Sequence, residues 1–211
     1  MTAFAAIAWR ELRRAWVGGG VMLPIAFFLL VSILFPFAVG PDARLLGRIA
    51  GGVVWSAALL AALMPVERLV GPDMEAGVID QFATRGLSDT GVALAKTAGH
   101  WLGFGPPLML ACVVAAGLLG MDATTLVRVL TGLAIGTPGL AALAVATGAL
   151  TAGLRGAGAV AGLVMLPLAL PLLIFGAGEG PGALKLLGAV SLLLLAGAPF
   201  VAGAAMKIGR G

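Results

Sequence analysis

The chain has 211 residues, 61% of them hydrophobic and only 10% charged, with a mean hydropathy of +1.12. A water-soluble domain carries about 25% charged residues, so too little polar material exists here to face water on every side. The net charge of +4 does not point to nucleic acid, because the 13 Lys and Arg residues are scattered at the ends of apolar runs instead of gathered in one patch.

These totals define an integral membrane protein. Backbone groups in lipid must be paired within their own segment, so the expected fold class is all-α. The lone Cys112 lies inside an apolar run, which excludes an intrachain disulfide and suits a small buried side chain. Residues 1–16 carry several charges and the next apolar run is long, without an Ala-x-Ala exit. No cleavable signal peptide is therefore expected.

Residues 4–16, FAAIAWRELRRAW, have the pattern of an amphipathic helix. At 100° per residue Ala5, Ala8, Trp9, Leu12, Ala15 and Trp16 share a face, and Arg10, Glu11, Arg13 and Arg14 point away from it. Such a helix, spanning residues 1–16, lies in the bilayer interface with Trp at headgroup depth. The plainer alternative is a basic flank of the first span.

Six charge-free runs follow, at 17–41, 49–66, 101–121, 129–154, 156–178 and 186–206. Each approaches or exceeds the roughly 18–20 residues that cross a hydrocarbon core of about 30 Å. Flanking residues extend the second to 45–66 and the fourth to 128–154. Prolines such as Pro24, Pro36, Pro106, Pro107, Pro138, Pro167, Pro171 and Pro199 would kink these spans or mark their ends. The pairs Gly47–Gly51, Gly99–Gly103, Gly132–Gly136 and Gly158–Gly162 are spaced for close helix approach. With the amino terminus inside, nine Lys and Arg fall on the cytoplasmic side and four outside, so both termini and the segment 67–96 are expected in the cytoplasm.

That segment, ERLVGPDMEAGVIDQFATRGLSDTGVALAK, is the longest polar interval and holds eight of the 22 charged residues. Pro72, Asp73 and Glu75 form a helix start. In a helix from Asp73 to Ala83, Met74, Val78 and Phe82 would make an apolar ridge fit for a partner's groove or for the protein's own bundle. A second helix begins after Ser88, its cap, and runs through Lys96 into the third span. His100, the only histidine, sits at the mouth of that span with no second ligand nearby, which favours a bond to backbone or lipid over metal or haem iron. Neither a Gly-x-x-x-x-Gly-Lys-Ser/Thr loop nor any Gly-Lys pair occurs, so this chain cannot cradle ATP through a P-loop. Charges are missing from the six runs, which argues against a self-contained ion-coupled carrier. A catalytic role for the chain alone is not expected.

From end to end the sequence resembles the haem exporter protein B (CcmB) family. The resemblance rests on WRELRRAW, FPFAVGPD, IAGGVVW, Glu67-Arg68 followed by D-x-x-x-G-x-x-D-Q, LAK-x-x-x-HW, GMD, GTP, LTAGLRGAG and LPLALPLLIFG in that order. It implies an ABC-2-like permease forming a single transmembrane domain over 1–211, in the bacterial inner membrane, serving cytochrome c maturation. It also implies a separate CcmA-like ATPase subunit meeting the 67–96 loop. On that basis Glu67, Asp73, Glu75, Gly77, Asp80 and Gln81 are expected at the ATPase contact, with Met74, Val78 and Phe82 from the ridge. Other implied partners are a haem-handling CcmC-like membrane protein, a haem chaperone, a second copy of the chain and membrane lipid. No cofactor is expected on this chain: ATP belongs to the ATPase and haem to the wider complex. The output would be haem export or release of the haem-loaded chaperone. Export of a lipid or polysaccharide, and a non-transporting assembly scaffold, are the alternatives.

Overall fold

A computed structural model describes residues 2–40 and 42–210. Met1 of the expected interfacial helix, residue 41 at the expected end of the first span, and residue 211 lie outside it. The described residues form nine helices and no strand: α1 (Ala3–Val17), α2 (Met22–Val39), α3 (Ala43–Leu63), α4 (Val66–Glu75), α5 (Val78–Thr84), α6 (Asp89–Leu118), α7 (Ala123–Leu150), α8 (Ala157–Ala177) and α9 (Ala183–Ile208). Six segments are long and apolar enough to cross a membrane: α2, α3 running on into α4, and α6 to α9. Each overlaps one of the six charge-free runs.

The edges of the runs move for local reasons. The first span starts at Met22, not at residue 17, because Gly18 to Gly20 form a turn after α1. The fourth ends at Leu150, where residues 151–156 turn back through Gly153 and Gly156, both with positive φ. The third is far longer than its apolar run. Ser88 caps α6 by accepting the Gly91 N–H at 3.2 Å, and the helix continues unbroken for 30 residues past the adjacent Pro106 and Pro107.

Enclosure grades inward from α2 and α8, in which few residues are buried, to α7 at the centre. Trp55 of α3 is fully buried there. Its indole fills the space left by Gly132 and Gly136 of α7 and Gly176 of α8. A Cβ at Gly136 would stand 2.5 Å from the ring, and one at Gly176 would overlap it. In lipid, where apolar contact with tails costs nothing, this kind of close van der Waals fit is what holds helices together. Trp101 of α6 donates its indole N–H to Thr137 of α7 at 3.0 Å, adding a polar tie.

The bundle has two unlike ends. At one, Arg128 reaches Glu179 at 2.6 Å, and Asp122 caps α7 by accepting the Thr125 N–H at 2.7 Å. Hydrogen bonds from Thr125 hold the Asp122 carboxyl below its ordinary range. The other end gathers α1, α4, α5, the start of α6 and the end of α9, with Arg210 paired to Asp89 at 2.7 Å. Most of the ion pairs among the described residues lie here.

Candidate functional site

The polar interval 67–96 is not a loop hung beneath the bundle. After a turn at Met64 and Pro65, α3 resumes as α4, which already begins at Val66. The expected helix start at Pro72 is therefore displaced: Pro72 lies inside α4, where it forfeits one backbone bond. The single helix from Asp73 to Ala83 is also corrected. Gly77 adopts φ +65°, ψ +16°, a left-handed conformation natural to glycine, and it separates α4 from α5. The ridge loses its straight register as a result. Met74 and Phe82 turn inward and pack on a second apolar core built from Val70, Ile79, Val92 and Ala202, among others.

Asp73 is the centre of this end of the molecule. It is 3% exposed. Its Oδ2 accepts a short hydrogen bond from Lys96 Nζ of α6, and its Oδ1 accepts from Arg10 and Arg14 of α1, the latter at 2.9 Å. Lys96, 1% exposed, also donates to Glu11 Oε1 at 3.2 Å and to the Leu69 carbonyl at 2.9 Å. The ammonium group has three N–H donors, and each has an acceptor. Arg10 Nη1 lies 3.3 Å from Glu11 Oε1, an ion pair without hydrogen-bond alignment. Five charged side chains thus fasten α1, α4 and α6 to one another.

Steric fit reinforces the charges. α1 lies on the Gly99–Gly103 pair of α6: a Cβ at Gly99 would collide with the Ala8 carbonyl and come within 2.7 Å of Glu11 Cβ, and one at Gly103 would sit 3.2 Å from Ala15 Cβ. This arrangement corrects the expected outward facing of Glu11. Ile7, Ala8 and Glu11 are the buried residues, while Trp9 and Trp16 are exposed. Glu11 faces inward because its partner, Lys96, waits there.

The remaining residues expected at a partner contact divide by position. Glu67, Glu75, Asp80 and Gln81 are exposed, and Gly77 and Val78 are half-buried. The Arg10 guanidinium lies 5.8 Å from the centre of the half-buried Phe82 ring. His100 is buried one turn beyond Lys96 and stacks on Phe104 with ring centres 5.8 Å apart. Its Nε2 has no partner among the described residues. Glu11, Lys96, Arg10 and Arg14 escaped the sequence reading as site residues. The only signals were the solitary lysine within LAK and the acidic residue among the arginines of α1.

A polytopic, all-helical membrane protein with an ion-paired end is the class these features define. The family profile described as CcmB protein matches residues 2–209. Relatives named "Heme exporter protein B" are similar over nearly the whole chain. The Paracoccus denitrificans relative is 41% identical over 209 residues, covering 94% of this chain and 96% of its own. That from Haemophilus influenzae is 38% identical over 215 residues, covering 97% of each. That from Escherichia coli is 40% identical over 194 residues, covering 88% of each. The chain belongs to the CcmB family.

Proposed function

We propose that this chain is the transmembrane subunit of an ABC-type haem-export assembly for cytochrome c maturation, and that its α4–α5 elbow couples a separate ATPase to the membrane helices. The reading rests on the names of its full-length relatives. The observation that carries the coupling role is the buried Asp73–Lys96 pair, which joins the exposed acidic elbow to α6. Glu67, Glu75, Asp80 and Gln81 form the surface offered to a CcmA-like ATPase. Met74, Gly77, Val78 and Phe82 support that surface, and Asp73 acts from inside by carrying its movement to α1 and α6.

In this reading the ion-paired end of the bundle is cytoplasmic and the protein resides in the bacterial inner membrane. The gathering of Arg10, Arg14, Lys96 and Arg210 at that end agrees with the positive-inside bias. Two copies serve two ATPase subunits. ATP is bound by the ATPase, and haem by a CcmC-like protein and a chaperone. The output is release of the haem-loaded chaperone.

The test is ATP hydrolysis and chaperone release by the detergent-purified assembly, comparing wild type with Glu75→Lys/Asp80→Lys. Retained ATPase with collapsed turnover or release is the expected result. If both activities persist, the elbow does not transmit, and a scaffold role replaces this one.

A further inference from the structure

A cavity of about 400 Å³ opens beside the ion-paired cluster, between α1, the start of α2, the α3–α4 turn and α6. Its volume lies within the range of small-molecule sites. The wall is mostly apolar, with Phe104 and Val21 among its members, and runs along the start of α2, where Met22 and Leu23 are exposed. Four polar side chains interrupt it. Arg14 faces it with a guanidinium that spends one N–H on Asp73. Arg68 faces it and has no ion pair among the described residues. His100 adds part of the wall and is more than nine-tenths buried; its Nε2 has no partner among the described residues and is closed off from the open space. Glu11 is the one carboxylate on the wall, and Lys96 and Arg10 already share it.

Two cations facing no free anion call for a negative group, and an apolar wall calls for a hydrocarbon tail. Exposed Trp9 and Trp16 on α1 set the depth, because such rings settle among lipid headgroups. We propose that this cavity binds one anionic phospholipid, its phosphodiester held by Arg14 and Arg68 and its chain laid along Phe104 and the start of α2, with the His100 ring in the wall beside it. The bound lipid would wedge α1 against the α3–α4 turn, making the seat of α1 sensitive to membrane composition.

The chain's single histidine gives a direct reading. The intact protein, labelled with ¹⁵N-histidine in neutral-detergent micelles, would be titrated separately with phosphatidylglycerol, phosphatidylcholine, inorganic phosphate and haemin while the imidazole nitrogen signals are followed. Phosphatidylglycerol is expected to move the imidazole signals saturably, through the ring's place in the wall, and phosphatidylcholine and phosphate to leave them in place. Arg68→Gln should weaken the effect about tenfold, the loss of one charge-assisted contact, while the exposed and distant Arg85→Gln should not. Equal responses to both lipids, an unchanged affinity in Arg68→Gln, or no response at all would overturn the proposal and leave ordinary boundary lipid. A response to phosphate alone would make this a soluble-anion site, and a response to haemin alone a cargo site. Either would also overturn it.

Discussion

Removing the Asp73 carboxylate should unfasten one end of the molecule, at a cost the geometry allows us to size. In Asp73→Ala, Arg10 and Arg14 lose a shared acceptor, but their side chains are 36% and 44% exposed and regain water. Lys96 cannot, because its side chain is 1% exposed. It keeps Glu11 and the Leu69 carbonyl and loses its closest anion. Breaking a buried pair from one side costs about 3–5 kcal/mol, and the surviving Glu11 places this case near 3 kcal/mol. For a chain of this size that is a fall of roughly 6–12 °C in midpoint. Lys96→Met should cost less, about 1–3 kcal/mol, since Asp73 retains both arginines. Asp73→Ala combined with Lys96→Met leaves neither charge stranded and should recover much of the loss. Unfolding in mixed micelles, followed by tryptophan fluorescence, would measure all three variants. An Asp73→Ala protein within about 0.5 kcal/mol of wild type, or strictly additive losses in the double variant, would refute this account of the cluster.

Gly99→Val should dislodge α1 by driving a side chain into the Ala8 carbonyl, costing about 1–3 kcal/mol. Thiol labelling of a cysteine placed at Ala8 should rise accordingly, with Gly52→Ala, which meets open space, as an unaffected control. Gly77→Ala forces a left-handed backbone on a β-carbon at about 1–2 kcal/mol; protease cutting between α4 and α5 should increase, while melting of the bundle changes little. Trp55→Ala, in a site built from three glycines, should lose on the order of 3 kcal/mol in the same micelle assay. Phe82→Asp should loosen α5 from the second core, seen as faster amide exchange over 78–84 before any change in the membrane helices.

The membrane architecture could be read because its signals are local. A charge-free run of sufficient length is a span wherever it occurs, and Ser88 before Asp89 is a helix start whatever packs on it. The Gly99–Gly103 spacing marked a close approach, though not its partner. Glu11 shows where this kind of reading stops. Sorting α1 by polarity sends Glu11 outward, yet a buried cation 85 residues later draws it in, and no local pattern carries that pairing. Gly77 shows a second limit. Met74, Val78 and Phe82 keep helical spacing across it, so periodicity runs straight through a point where the backbone turns left-handed. The acidic residues of the elbow were visible as charges. Which of them is buried depended on α1 and α6 meeting around Asp73.

Adjacent prolines in α6 divide that long rod unequally. Neither Pro106 nor Pro107 has an N–H, so the carbonyls of Leu102 and Gly103 lack their usual intrahelical donors. Two consecutive missing bonds make this the softest place to bend. From Asp89 to Pro106 the stiff arm is about 25 Å long, and a bend of only about 10° would swing its tip by about 4 Å. Lys96 rides on that arm, so α1 and the elbow would travel with it, and the swing would load the Trp101–Thr137 bond to α7 and the Arg210–Asp89 pair. The helix has the anatomy of a crank.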